Sequence, residues 1–403
     1  MDATNVMQSA ARGRWAVAAM FLTNGFMAGS WAPQIPLVLT RLSITESTLG
    51  LLIFCFGIGA LISMPWCGWL MARFGQRPVL STFGLLQAFG LLLVVLSPTV
   101  ALSAVTMIAF GAFIGCTDVA MNAATVTVER KLGRAVMSSM HGFWSLGGFA
   151  GGGLGGFMLQ SLGPTTHAAI VAVLAFGVAV IAVPNILHDP ERPAGADQKK
   201  RVGLSIPTSP TPYLLGLMAM FLFVSEGAVL DWGALYMTQE KGADLGVAGL
   251  AYAFFAGAMA LMRFVGDSVR NRFGGVLTLR VCSFLSAVAM LAAALAPTPF
   301  LVILAFAICG LAVANTVPIV FSAAGNLPGI SSGAAMSVAT TMGYAGILFA
   351  PSSIGFVAEE TGFSPVFIAL SGLLLVVAAL ANLAKAADFD HGETSVNERA
   401  PIA

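Results

Sequence analysis

The acidic residues that stand inside long apolar stretches are the side chains of this sequence best suited to chemistry. Asp118 is followed by Asn122, Thr125 and Glu129, which on a helix lie within about 40° of it and form one polar stripe. An ionisable group in the middle of a membrane costs about 2.5–3.5 kcal/mol on insertion scales, so a chain that keeps one is expected to use it. Asp118 is therefore the first candidate for a carboxylate that binds and releases protons. A carboxylate fixed by hydrogen bonds to neighbouring helices is the alternative.

Glu226 and Asp231 form a second pair of acids in an apolar stretch. On a helix they are separated by about 140°, so both cannot point towards the same centre. We predict proton coupling for one, and an external gate or a hydrogen bond to a solute for the other. Together with Asp118 they are the predicted proton-coupling residues.

Aromatic and amide side chains in the same stretches are the candidates for binding a solute. An aromatic ring can stack on a sugar ring or a flat organic molecule, and an amide can hydrogen-bond it. The alternatives are an anchor at the membrane interface or packing for the tryptophans, and helix–helix hydrogen bonds for the amides. The predicted solute-binding residues are Asn24, Trp31, Gln34, Asn122, Trp144, Trp232, Asn315 and Tyr344.

The composition requires that these residues be positioned by helices in a membrane. Hydrophobic residues make up 58% of the chain and charged residues only 9%, against about 25% charge in a soluble domain. A membrane-spanning helix needs about 20 mainly apolar residues. Long continuous runs favour helices over the short alternating strands of a barrel. The twelve predicted spans lie near 14–38, 47–71, 78–97, 101–127, 136–160, 166–187, 212–237, 246–267, 276–296, 299–323, 333–357 and 364–386.

The basic residues predict the orientation of these spans. With the N-terminus inside, the outer loops keep only Arg41 and Lys241, and Arg263 lies within a span. Cytoplasmic loops carry the excess of Lys and Arg, so both termini are predicted to be cytoplasmic.

A shift of 199 residues aligns the chain with itself. It places Arg73-Phe74-Gly75 on Arg272-Phe273-Gly274 and Gly163 on Gly362. An even number of spans in each copy makes this a parallel repeat of two six-helix halves, with a solute site between them. The predicted division is a half at 1–187, a cytoplasmic linker at 188–211, a second half at 212–386 and a cytoplasmic tail at 387–403.

The loop after the second span resembles a signature of the major facilitator superfamily. Residues 68–77 read GWLMARFGQR, which is similar to G-x-L-x-D-R-x-G-R-R/K with Ala72 in place of the aspartate. The second copy has Asn271 at that position. In the family this loop latches the outward-facing state, and both copies here lack the aspartate. Arg263 and Asp267 could form a substitute pair; the alternative is that they are simply two charges that neutralise each other. The residues for which the resemblance implies gating are Arg73, Arg77, Arg263, Asp267 and Arg272.

Within that superfamily the fourth span resembles the fucose-permease group. The resemblance rests on residues 115–122, GCTDVAMN, in which a membrane-embedded acid is followed by an asparagine. The segments 141–148 and 226–232 look closer to the YbjJ-type branch of the group. Ala32 and Trp144 stand where two site residues of fucose permeases are expected, so fucose itself is not the expected substrate.

The resemblance implies an all-α integral membrane protein with the major facilitator fold. We expect a monomeric secondary active transporter in the bacterial inner membrane, which moves a small organic, sugar-like solute together with protons by alternating access. Proton-driven efflux of a drug or metabolite, and a receptor without transport on the same fold, are the alternatives. No nucleophile–base pairing, no His/Asp/Glu cluster inside the spans and no ATP-binding loop occur at recognisable spacing, so neither an enzyme, a cofactor nor a metal is expected. The basic residues are spread over many short loops, so nucleic acid is not expected either.

Overall fold

The computed structural model describes residues 3–132, 136–187, 207–330 and 332–388, and in that part of the chain regular structure is entirely helical. The helices are α1 (Ala3–Trp31), α2 (Ile35–Leu42), α3 (Glu46–Phe74), α4 (Gln76–Leu96), α5 (Val100–Leu132), α6 (Met137–Leu162), α7 (Pro164–Ala182), α8 (Thr211–Gln239), α9 (Leu245–Phe273), α10 (Gly275–Leu295), α11 (Pro299–Val313), α12 (Thr316–Gly325), α13 (Ser332–Thr361) and α14 (Phe363–Leu380). Short 3-10 segments follow α1, α7 and α14. Most of the predicted linker and tail, 188–206 and 389–403, lies outside the described residues.

The predicted spans coincide with these helices. Ten helical stretches of the described residues are long and apolar enough to cross a membrane. They comprise α3, α4, α5, α7 to α10, the pair α11–α12, α13 and α14. The two remaining predicted spans fall on α1, which carries Arg12, Arg14 and Asn24 among its apolar residues, and on α6, which contains a run of glycines.

The internal repeat extends to the details of helix termini. Helices α3 and α9 are both 29 residues long and lie 199 residues apart at each end, as do the 21-residue helices α4 and α10. Thr45 caps α3 and Asp244 caps α9, each by accepting a hydrogen bond from the backbone N–H three residues on. Before these caps, Ser43 has a φ of 51° and its counterpart Gly242 a φ of 65°. The same turn is therefore built twice with different residues.

The two halves meet through equivalent close contacts. A methyl group added to Gly156 of α6 would overlap the carbonyl oxygen of Leu245 on α9, and one added to Gly355 of α13 would overlap that of Glu46 on α3. Gly355 lies 199 residues after Gly156, and Glu46 lies 199 residues before Leu245. In the first contact the glycine belongs to the first half and the carbonyl to the second half, and in the second contact this is reversed. The halves are thus related by a pseudo-twofold axis at this interface, as expected for a parallel duplication.

One end of the bundle is closed by hydrogen bonds between the halves. The backbone N–H of Ser47 donates to Oε2 of Glu359 at 3.1 Å, and Nε2 of Gln239 donates to Oε1 of Glu46 at 2.7 Å. We call this the closed end. It lies opposite the end that holds the N-terminal turns of α1, and it ties the start of α3 to the last turns of α8 and α13.

The repeat is broken inside two helices. Helix α5 runs without interruption from 100 to 132, whereas its counterpart divides into α11 and α12 at Ala314 and Asn315. Conversely, α8 is continuous and its counterpart divides into α1 and α2 around Pro33. These are local departures within a shared scaffold.

Candidate functional site

The guanidinium of Arg263 joins the two halves near the middle of the bundle. Its Nη1 donates a 2.6 Å hydrogen bond to Oγ of Ser145 on α6, and its Nη2 lies 3.7 Å from Oε1 of Glu226 on α8. The side chains of Arg263 and Glu226 are 19% and 23% exposed, and Ser145 is buried. A separation of 3.7 Å is an ion pair without a hydrogen bond, so the guanidinium is hydrogen-bonded to the other half and only ion-paired with the carboxylate of its own half.

Glycines on both faces of α6 bring Ser145 within reach of Arg263. Gly147 faces α1, where an added methyl group would overlap the backbone of Leu22. Gly148 faces α9, where the added methyl carbon would lie 2.9 Å from the hydroxyl of Tyr252. Small residues let membrane helices approach closely, so a short side chain such as serine can contact the neighbouring helix.

Asp118 and Glu226, from opposite halves, both lie within electrostatic range of the same tyrosine. Tyr344 on α13 interacts electrostatically with both carboxyl groups, and its ring lies 5.6 Å from that of Phe223. Nδ2 of Asn122 donates to the backbone oxygen of Asp118 at 2.9 Å and to Oδ1 at 3.4 Å. The structure thus brings together the predicted Asp118, Asn122, Glu226 and Tyr344 with Arg263. We call these five residues the polar cluster.

Tyr252 on α9 extends the polar cluster towards Asp231. The buried tyrosine interacts electrostatically with Glu226, Arg263 and Asp231, so the second predicted acid of α8 lies near the same cluster. Sequence reasoning missed both Tyr252 and Ser145. Their signal was weak, because a single hydroxyl in an apolar helix usually bonds its own helix or a neighbour.

Asn24 and Trp144, two predicted solute-binding residues, are bonded to each other. Nε1 of Trp144 donates to Oδ1 of Asn24 at 2.8 Å, and Nδ2 of Asn24 donates to Oε1 of Gln87 at 3.0 Å. Asn24 is buried, whereas Trp144 remains partly exposed. In this conformation the asparagine links α1, α4 and α6 and orients the indole ring. Solute binding by either residue stays a prediction.

Gln34 lies at the closed end and is bonded within the first half. Its Nε2 donates to the carbonyl oxygen of Pro164 at 3.1 Å and lies 2.9 Å from Nδ1 of His167. Both Gln34 and His167 are buried, so the amide connects the break after α1 to the start of α7.

The other predicted solute-binding residues face the protein interior in this conformation. Trp31 is buried, and Trp232 is fully buried with its ring 5.5 Å from that of Phe363. Asn315, at the break between α11 and α12, packs against Gly266 of α9, where an added methyl group would overlap its amide. A solute would reach the two tryptophans only after a rearrangement, whereas Asn315 is partly exposed. The assignment of all three residues stays a prediction.

Three of the predicted gating arginines, Arg73, Arg77 and Arg272, lie at the end opposite the closed end. The guanidinium of Arg73 is 5.5 Å from the ring of Trp69, and that of Arg272 is 5.6 Å from the ring of Phe273. Nη2 of Arg77 donates to the carbonyl oxygen of Pro184 at 3.1 Å. The side chain of Asp267 lies outside the described part of the structure, so its predicted pairing with Arg263 stays a prediction.

The comparison with known protein families decides the identity of the fold. The model of the Major Facilitator Superfamily matches residues 17–351, with a second match at 215–399. The chain belongs to the major facilitator superfamily. An uncharacterised MFS-type transporter of Yersinia pestis is 36% identical over 362 residues, which are 90% of this chain and 93% of the relative. The protein is therefore a multi-pass membrane transporter of this superfamily.

Solved structures agree with this fold. A mutant form of the nucleoside transporter NupG superimposes with a TM-score of 0.71 at 16% identity, covering 92% of this chain and 99% of its own. A D-xylose-proton symporter superimposes with a TM-score of 0.69 at 14% identity, covering 91% and 96%. At such low identity they establish the fold alone. In the described residues, no group of three or more His, Cys, Asp or Glu side chains is placed to hold a metal ion.

Proposed function

We propose that this superfamily member is a proton-coupled secondary transporter that moves a small, sugar-like organic solute across the bacterial inner membrane by alternating access. The observation that carries the proposal is the bridge from Glu226 through Arg263 to Ser145. It connects a titratable carboxylate of one half to a hydrogen bond with the other half. Asp118 contributes a second carboxylate, from the first half, within electrostatic range of Tyr344.

This bridge supplies a route from proton binding to movement of the halves. While Glu226 is ionised, its carboxylate competes with Ser145 for the guanidinium of Arg263. When a proton binds to Glu226, the carboxyl group becomes neutral and this attraction is lost. The guanidinium then interacts more strongly with Ser145 or with a solute in the polar cluster. Because only differential interaction with two states can shift their populations, protonation at this position favours one arrangement of the halves.

The exposed polar and aromatic groups favour a solute that carries hydroxyl groups and a ring. Asn122, Trp144 and Tyr344 are all partly or well exposed, and together they offer amide hydrogen bonds and two aromatic faces. The resemblance of residues 115–122 to the fucose-permease group supports the same chemical class.

Proton-coupled flux in liposomes tests the proposal. The protein is reconstituted with an internal pH-sensitive dye and challenged with a panel of pentoses, hexoses, nucleosides and sugar acids. We expect one class to move protons, and Asp118→Asn and Glu226→Gln to abolish that movement. Glu360→Gln on α13 is the matched control, because Glu360 is an exposed acid in the last turn of the helix.

Three outcomes would contradict the proposal or redirect it. Coupled flux that survives both substitutions shows that neither carboxylate carries the proton. Solute movement out of vesicles, against the direction of proton entry, identifies an exporter. Binding of a solute without any flux identifies a receptor on the same fold.

A further inference from the structure

An open groove lies on the surface of the first half, between α1 and α7. It has a volume of about 440 Å³ and lies at the end of the bundle opposite the closed end. Its walls include Ala16 and Ala19 of α1 and Val178 and Ile181 of α7. Ile181 is 74% exposed, although it is a large aliphatic residue. In a multi-pass membrane protein, an exposed apolar wall of this kind faces lipid chains.

Cationic and amphipathic groups stand at the mouth of the groove. Arg12, Trp15 and Asn185 line it, and Arg12 and Asn185 are exposed. Trp15 is 60% exposed, and the guanidinium of Arg14 lies 5.5 Å from its ring. Tryptophan concentrates at membrane–water interfaces, and guanidinium groups bind phosphate. The groove therefore has an apolar part for acyl chains and a cationic mouth for an anion.

The second half shows that this groove is not a necessary result of the fold. The equivalents of Ala16, Ala19, Val178, Ala182 and Asn185, each 199 residues later, are Leu215, Met218, Val377, Ala381 and Ala384. All five are fully buried. The 3-10 segment after α14 has seven residues, Ala381–Ala387, whereas the segment after α7 has only the three residues Val183–Asn185. The counterpart of Arg12 is the uncharged Thr211.

We propose that the groove between α1 and α7 is a binding site for an anionic phospholipid. The phosphate lies against Arg12 and the polar groups at the mouth, with Trp15 at the level of the glycerol backbone and an acyl chain along Ala19 and Ile181. Basic pockets between membrane helices on the cytoplasmic side bind anionic lipid headgroups, and each Lys or Arg near the surface contributes about 1 kcal/mol to this attraction. That corresponds to about a fivefold preference for each arginine.

Fluorescence quenching by brominated lipids tests the proposal on the full-length protein. The protein is reconstituted in phosphatidylethanolamine vesicles that contain a small fraction of either brominated phosphatidylglycerol or brominated phosphatidylethanolamine. The contribution of Trp15 is obtained by subtraction of the Trp15→Phe variant, because the chain has six tryptophans. We expect phosphatidylglycerol to quench Trp15 at several-fold lower mole fraction than phosphatidylethanolamine.

Two variants and one control separate a site from general attraction to an anionic membrane. Arg12→Gln should reduce the preference about fivefold. Ala19→Phe should fill the apolar part and weaken quenching by both lipids while Arg12 is retained. Arg280→Gln removes the same charge from an exposed position on α10 of the second half and should leave the preference unchanged. Equal quenching by the two lipids in the unaltered protein, or an equal loss in Arg12→Gln and Arg280→Gln, would overturn the proposal.

Discussion

The two halves place different side chains at the equivalent positions 145 and 344. Ser145 on α6 accepts a hydrogen bond from Arg263 of the other half, and Tyr344 on α13 interacts electrostatically with Asp118 of the other half. The backbones around them are duplicated, because α6 and α13 both end before a glycine with a φ near 80°, Gly163 and Gly362. Duplication gives each half an equivalent helix position, and the difference in residue type makes the two interactions chemically distinct.

The charges of the polar cluster have no symmetric partners. The counterparts of Asp118, Glu226 and Arg263, 199 residues away, are Val317, Met27 and Met64. The groove between α1 and α7 is likewise present in one half and filled in the other. The shared parts of the repeat, which are the caps, turns and glycine contacts, therefore determine how the halves meet. The unshared side chains determine where the charged groups lie.

The largest expected effect comes from giving position 263 the residue of its repeat counterpart. Arg263→Met leaves Glu226 without its cation and Ser145 without its donor. We expect proton-coupled flux to fall on the order of tenfold or more, equivalent to at least about 1.4 kcal/mol of coupling. Flux in liposomes measures it, with Arg280→Met as a control for the loss of a positive charge.

The double variant Glu226→Gln with Arg263→Met distinguishes a role of the bridge in proton coupling from a role in stability. An uncompensated, partly buried carboxylate destabilises the protein, and its removal together with the arginine should restore the melting temperature. Flux should stay low, because neither member of the bridge is present. Full recovery of coupled flux in the double variant would show that the bridge has only a structural role.

The fold could be predicted from the sequence further than the site could. Long apolar runs and the 199-residue offset predict helices, and the bounds of these helices repeat in the structure. This part could be predicted because the length of a span and the position of a turn depend on residues that are close in sequence. The partner of Arg263 could not be predicted in this way. Asp267 is one turn away in sequence, whereas Glu226 and Ser145 reach Arg263 only through the packing of α8 and α6 against α9. Similarly, the hydrogen bond between Asn24 and Trp144 depends on the close approach of α1 and α6.

An effect on stability alone, without a loss of coupling chemistry, is expected from the symmetric glycine contacts. Gly156→Ala and Gly355→Ala each place a methyl group against a backbone carbonyl of the other half, at Leu245 and Glu46. Overpacking of this kind costs about 1–3 kcal/mol. Both variants should therefore lower the melting temperature in detergent by similar amounts. Gly177→Ala, where the added methyl carbon meets no atom within 4 Å, is the control and should be neutral or slightly stabilising. Markedly unequal losses would show that the pseudo-twofold contacts differ in energy despite their matching geometry.

The smallest effect is expected at the turn before α3 and α9. Ser43 is the one non-glycine residue of the described chain with a positive φ, and its counterpart is Gly242. A left-handed conformation costs an ordinary residue about 1–2 kcal/mol, and glycine loses about 0.5–1 kcal/mol more backbone entropy on folding. Ser43→Gly should therefore stabilise the protein by about 0.5–1 kcal/mol, and Gly242→Ser should destabilise it by a similar amount. Melting temperatures of the two single variants and of the exchanged pair measure this directly. The melting temperature of the exchanged pair should match that of the unaltered protein, since the two turns are equivalent and distant. A loss of stability in both single variants would show that Ser43 makes a compensating contact that its repeat counterpart lacks.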